Sequence, residues 1–239
     1  MTTTLITGAN KGLGYETARR LLAAGHTVYL GSRDPERGRG AAEALGSRNV
    51  RSVRIDVTDD ASVAAAAKEV EAEAGGLDVL VNNAGIEGRD KSNDVIGAAD
   101  VTADQMREVF ETNVFGTVRV THAFLPLLRR SAAPVVVNLS SGLASLTRVT
   151  TPGTPTFAYP GVAYPASKAA VNMTTVQFAK AFPEIRVNAV EPGYTRTDLN
   201  GNTGVQTVEE GAEIIVRMAQ VPADGPTGGF FSAEGPLPW

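Results

Sequence analysis

The stretch that most constrains this chain is its first loop, Thr7 to Gly14. It reads TGANKGLG, between the apolar pair Leu5 and Ile6 and a helical pattern that begins at Leu13. Glycine adopts backbone angles closed to other residues, so Gly8 suits a sharp strand-to-helix turn. Gly12 and Gly14 let main chain and helix approach a bound diphosphate and the sheet beneath it. Free N–H groups and the helix dipole then face the anion. The expectation is a phosphate-binding turn formed by Gly8, Asn10, Lys11, Gly12, Leu13 and Gly14. Three residues separate Gly8 from Gly12 and one separates Gly12 from Gly14, so the spacing is not the common G-x-G-x-x-G fingerprint.

The rest of the chain alternates strand and helix patterns. Leu13, Ala18, Leu21 and Leu22 mark the buried face of a helix ending near Gly25, and Thr27 to Leu30 read as a second strand. Further strands are expected at Val50 to Ile55, Leu77 to Val81, Val135 to Leu139, Ile185 to Val190 and Gly229 to Phe231. Helices are expected over residues 36–46, 59–74, 102–130 and 207–219. This pattern predicts a single α/β domain over residues 1–239, a doubly wound (Rossmann) parallel sheet of seven strands ordered 3-2-1-4-5-6-7.

Composition removes several kinds of chemistry. A net charge of −4 provides no general basic field, which argues against nucleic acid or an anionic membrane as partner. There is no cysteine, so disulfides, thiolate metal sites and thiol catalysis are excluded, and two separated histidines make no zinc site. No metal is expected. No apolar run reaches the roughly 20 residues of a spanning helix, and the start MTTTLITG lacks the features of a signal peptide. The expected location is the cytoplasm.

The ends of the predicted strands carry the polar residues of interest. Ser32, Arg33 and Asp34 follow the second strand, where dinucleotide-binding folds read the adenosine ribose. Ser32 stands where an acid would favour a free 2′-hydroxyl, and Arg33 and Lys11 are two cations suited to a 2′-phosphate. NADP(H) is therefore expected in preference to NAD(H). The bland alternative leaves Arg33 a solvated loop charge and makes Asp34 a helix cap before Pro35. Asp56, followed by Val57, either accepts from an adenine amino group or caps the next helix, for which Thr58 looks the better cap. Asn82, Asn83, Ala84 and Gly85 suit close approach of a ribose, or form an ordinary structural turn. Asn113 is an unfavourable residue for a helix interior, so it either starts a separate helix as a cap or opens the helix locally. Ser140 and Ser141 place hydroxyls at the carboxyl edge of the sheet, where ligands of such sheets bind. Tyr164 and Lys168, four residues apart, share one face if helical.

Taken in order, TGxxxGxG, NNAG, ETNVFGT, VVNLSS and the Tyr-x-x-x-Lys of AYPASKAA resemble the short-chain dehydrogenase/reductase family over nearly the whole chain. TGANKGLG and a long loop before Tyr164 resemble its carbonyl-reductase-like branch. The resemblance implies NADPH-dependent reduction of an aldehyde, ketone or quinone to an alcohol, with Tyr164 as general acid/base. It implies that Lys168 favours the phenolate and holds the nicotinamide ribose, and that Ser141 donates to the substrate oxygen. Asn113 would hold a water linking Lys168 to solvent. Asn83, with Ala84 and Gly85, would meet the cofactor, and Pro192, Gly193, Thr195 and Thr197 would cover its nicotinamide and diphosphate. A homodimer or homotetramer through the long helices is also implied.

This chain departs from the family pattern in one place. The gap from Ser141 to Tyr164 is 23 residues, longer than is usual there, and its extra stretch TRVTTPGTPTFAYPG reads as a semi-rigid loop at the rim of the site. Phe157, Tyr159, Leu143, Tyr194 and Trp239 are candidates for an apolar substrate pocket, and the tail ending in Trp239 either seals that pocket or meets another subunit. A different kind of function on the same fold is a catalytically idle dinucleotide sensor. Exchange of Arg33 for Ala is expected to raise the Michaelis constant for NADPH far more than that for NADH; equal effects in parallel assays would remove Arg33 from the 2′-phosphate site.

Overall fold

The protein is described here by a computed structural model covering residues 2–239; Met1, the first residue of the expected domain, lies outside the described residues. Seven parallel strands stand in the expected order: β1 (Thr3–Ile6), β2 (Thr27–Ser32), β3 (Val50–Arg54), β4 (Val79–Asn82), β5 (Val135–Leu139), β6 (Arg186–Val190) and β7 (Phe230–Ser232). An eighth, β8 (Gly235–Pro236), pairs antiparallel with β7 at the edge beyond the expected seven. Its two residues carry no alternating pattern that a sequence could announce.

The strands are nearly continuous apolar runs because helices cover both faces of the sheet. Alternate residues of each strand serve opposite layers. Leu5, Leu80 and Val136 pack in one core with Val63, Val70, Phe124 and Leu128 of α3 (Asp60–Ala74) and α5 (Gly116–Leu128). Ile6, Val81 and Val137 pack in the other with Leu21 of α1 (Gly12–Ala23) and, from α8 (Val208–Ala219), Ile214 and Ile215. Among the described residues no helix is long and apolar enough to cross a membrane.

Two local expectations resolve here. The stretch expected as one helix over 102–130 is α4 (Ala103–Phe110), a wide π turn over Glu111–Phe115 and then α5. Asn113 sits in that turn, so it opens the helix and does not cap a new one. The cap of α3 is Asp59, whose side chain accepts from the N–H groups of Ala61 and Ser62. This corrects the choice of Thr58, whose N–H and hydroxyl are both donated to Asp56 Oδ1, at 3.0 and 2.7 Å, in a turn before the helix.

A buried polar chain crosses the middle of the sheet. Asn82 Nδ2 donates to Thr121 Oγ1 at 3.0 Å and to Asn138 Oδ1 at 2.8 Å. Asn138 Nδ2 donates in turn to Thr175 Oγ1 at 2.9 Å. Asn82 and Asn138 are register partners, so the chain ties β4 and β5 to α5 and to α7 (Ala163–Ala181). Replacing Asn138 by Leu would strand the Asn82 amide in a dry interior. The expected cost is about 2 kcal/mol, measured as a lower urea midpoint.

Candidate active site

All the candidate residues gather at the carboxyl edge of the parallel strands, around the place where β1 and β4 lie side by side and the strand order reverses. Gly8 and Gly12 have φ of +62° and +57°, a conformation that favours glycine. Gly14 is needed for space. A Cβ there would stand 2.6 Å from Asn83 Nδ2 and 2.8 Å from Ala9 Cα. The Asn83 amide donates to Thr7 O at 2.8 Å and Gly8 O at 3.0 Å, while Thr7 Oγ1 accepts from the N–H groups of Asn83 and Ala84, both at 3.0 Å. The Asn83 side chain is thus committed to shaping the loop. The resulting cradle, free of side-chain bulk and set at the start of α1, fits a dinucleotide diphosphate.

On the adenosine side, Ser32 is buried and donates to Asp34 O at 2.8 Å. Asp34 caps α2 (Pro35–Leu45), as the bland alternative had it. Arg33 is exposed and, among the described residues, has no hydrogen-bond or ion-pair partner. Lys11 does have one: its Nζ lies 2.7 Å from Asp198 Oδ2, joining the glycine loop to the segment after β6. In that segment Thr197 Cγ2 would lie 3.7 Å from a Cβ on Gly12. Thr195 is buried and accepts from Gln206 Nε2 at 2.9 Å. Burial opposes ionisation of Asp56, but the hydrogen bonds from Thr58 and the charges of Arg33 and Arg54 hold its carboxyl below the usual range. Val57 is buried beneath Gly116, where a Cβ would come within 2.9 Å of Val57 Cγ2.

Tyr164 and Lys168 lie one turn apart near the start of α7, and Ser141 lies just past β5. Burial and the carboxylates of Glu87 and Glu191 push the Tyr164 phenol up, while a hydrogen bond from Ser141 pulls it down. Lys168 Nζ lies 5.6 Å from the centre of the Tyr164 ring and donates to Leu139 O at 2.7 Å. Its burial brings the ammonium down to about 8. The expectation that Lys168 favours the phenolate is therefore not met in the protein alone. The lysine is itself held close to neutrality. Ser140, by contrast, is buried and bonded to Asn172 Oδ1 at 2.6 Å, away from the phenol.

Asn113 is buried, accepts from Ile86 N–H at 2.8 Å and donates to Ile86 O at 2.9 Å and Ser167 Oγ at 3.0 Å. The side chain braces the exit of β4 against α7. Gly85 lies between Asn113 and Lys168: a Cβ on it would stand 3.2 Å from Asn113 Oδ1 and 3.4 Å from Lys168 Nζ.

Of the five aromatic and aliphatic pocket candidates, Tyr159 lines a narrow cavity together with Tyr164. Phe157 and Tyr194 are each 51% exposed and Leu143 is half-buried. Trp239 stacks on Phe230 and its carbonyl accepts from Thr147 N–H at 3.2 Å, so the tail docks on its own chain. Sequence reasoning missed Glu87 and Glu191, acids close enough to act on the phenol. No spacing rule marks either one.

A glycine cradle at the switch point of a doubly wound sheet defines the class, the α/β proteins that bind nicotinamide dinucleotides. The sequence pattern of the family described as short chain dehydrogenase matches residues 2–207. (+)-Neomenthol dehydrogenase from Capsicum annuum is 32% identical, covering 95% of this chain and 94% of its own. The structure of salutaridine reductase from Papaver somniferum matches with a TM-score of 0.84 at 30% identity, over 98% of this chain and 100% of that one. NADPH-bound carbonyl reductase from chicken fatty liver matches with a TM-score of 0.86 at 29% identity, over 100% and 99%. The chain belongs to the short-chain dehydrogenase/reductase family of oxidoreductases.

The depressed Lys168 has a consequence for stability. Between pH about 8 and 10.5 the unfolded chain holds a proton on this lysine that the folded chain has released, so stability gains with rising pH there, by up to ~3 kcal/mol. Lys168→Met is expected to lose that gain, read from urea unfolding across this range; an identical pH dependence would mean that the ammonium is not desolvated.

Proposed function

We propose that this protein reduces a carbonyl compound to an alcohol with NADPH, Tyr164 serving as the proton donor. The observation that carries this reading is the convergence of Ser141, Tyr164 and Lys168 at the same sheet edge as the glycine cradle. Bound NADPH supplies the hydride. Gly8, Asn10, Gly12, Leu13 and Gly14 would hold its diphosphate together with Thr197, and Asp56 and Val57 its adenine. Arg33 would meet the 2′-phosphate, joined by Lys11 once Lys11 exchanges Asp198 for it. Ala84, Gly85 and Lys168 would hold the nicotinamide ribose, and Pro192, Gly193 and Thr195 would cover the ring.

The chain's own residues manage the charge and the proton. Ser141 hydrogen-bonds to the phenol, so a carbonyl oxygen beside both hydroxyls meets two donors as negative charge builds on it. Tyr164 is kept protonated by its surroundings, which suits donation from the phenolic oxygen. Lys168, near neutrality at about 8, is able to pass a proton back toward Tyr164. The passage beside Gly85 leads from Lys168 to Asn113.

The test is consumption of NADPH across a panel of aldehydes, cyclic and open-chain ketones and quinones. Tyr164→Phe is expected to lower turnover by about 10²-fold or more while NADPH binding, followed by fluorescence, persists. A Tyr164→Phe protein that turns over like the unaltered one would sink this mechanism. NADPH binding with no turnover of any carbonyl would favour the dinucleotide sensor.

A further inference from the structure

The cavity beside Tyr164 is walled by two loops, residues 83–102 after β4 and residues 150–162 before α7. The loops are joined at three points. Gly97 and Gly161 form an antiparallel bridge. The Tyr159 hydroxyl donates to Glu87 Oε1 at 2.8 Å, and Arg89 Nε donates to Glu87 Oε2 at 2.8 Å. Arg89 is fixed in turn by donating to Asn93 O at 2.7 Å. The packing leaves no slack at Gly161, where a Cβ would stand 2.6 Å from Tyr159 Cε1 and 2.9 Å from Val95 Cγ1. Glu87 is only 9% exposed.

A buried ion pair is a poor stability device, because desolvation consumes most of the attraction. A position beside an ionisable phenol gives this one a different use. Glu87, Tyr159 and Tyr164 line one cavity, so the phenol sits next to the carboxylate end of the pair. Other elements also present charge or protons to Tyr164. Lys168 lies against its ring from α7, Ser141 reaches it from the end of β5, and Glu191 acts on it from the end of β6 with Arg148 Nη1 3.9 Å away. Of the two carboxylates, Glu87 is the one tied to the long loop.

We propose that Glu87, clasped by Arg89 and Tyr159, is a positioning residue for Tyr164: it holds the long loop closed over the site and confronts the phenol with a fixed negative charge that keeps the proton in place. The inference rests on the proton-donor reading of Tyr164. It also gives the long loop a task, since Tyr159 is the residue through which that loop grips the carboxylate. Consistent with this geometry, Glu87 ranks directly after burial among the influences that raise the phenol.

The experiment is the pH profile of kcat/KM for carbonyl reduction, with the full chain saturated in NADPH. Glu87→Gln removes the negative charge and leaves Arg89 uncompensated, so the basic limb is expected to move about one pH unit lower. Arg89→Gln leaves the carboxylate uncompensated and is expected to move the limb the opposite way. Tyr159→Phe keeps both charges. It is expected to leave the limb in place while hastening proteolysis within residues 150–158. Limbs unmoved in Glu87→Gln and Arg89→Gln, or displaced in the same direction, would overturn the proposal. If Glu87→Gln fails to fold by circular dichroism, Arg89→Gln and the rescue variant Glu87→Asp carry the same test. Tyr164→Phe separates the two readings: normal turnover there defeats the proton-donor role, whereas a dead Tyr164→Phe with an unmoved Glu87→Gln limb defeats only this inference.

Discussion

The hydrogen bonds between Thr7 and Asn83 hold the two halves of the site together. β1 and β4 are neighbours at the point where the strand order reverses, and there the chain leaves the two strands toward opposite faces of the sheet. No ladder bond continues beyond that point. Side chains take over: the Thr7 hydroxyl collects two N–H groups from the exit of β4, and the Asn83 amide spends itself on two carbonyls of the glycine loop. The cradle is therefore a joint product of two strand exits and not a free-standing loop. The tight fit of Gly14 against Asn83 follows from the same bonds.

Charge is distributed around this site in a simple way. The rim carries ionised groups in water, among them Arg33 and the Lys11–Asp198 pair. Inside, the two groups that exchange protons are both pushed toward neutrality, Lys168 downward and Tyr164 upward, because desolvation penalises whichever form is charged. The interior thus lowers the cost of moving a proton between them. Full charge enters with the ligand.

Much of this was legible in the sequence, for identifiable reasons. The glycine loop and the apolar strands are governed by backbone sterics and by burial on both faces, which leave local marks. Asn113 announced a disturbance in a helix, although only the structure shows a widened turn and an amide occupied by Ile86 and Ser167. The cap of α3 was misread by one residue because Thr58 and Asp59 are both good caps, and the turn made by Asp56 decides between them. Glu87 and Tyr159 were out of reach in principle. They lie 72 residues apart, and neither sits in a periodic stretch. Asn83 read as a ligand contact, while its geometry is that of a strut.

The docking of the tail bears on how the protein is made. Trp239 meets Thr147, in the short helix that follows Ser141, across 92 residues of sequence. That helix also carries Arg148, the partner of Glu191 at the edge of the site. On the ribosome, the strands and the glycine loop have their partners well before synthesis ends, but this helix waits for the final residues to emerge. Such long-range closures come late and slowly in folding. The emerging chain therefore assembles its phosphate-binding half first and its reactive half last, so that truncation of only the last few residues falls on the reactive side of the site and spares the cradle.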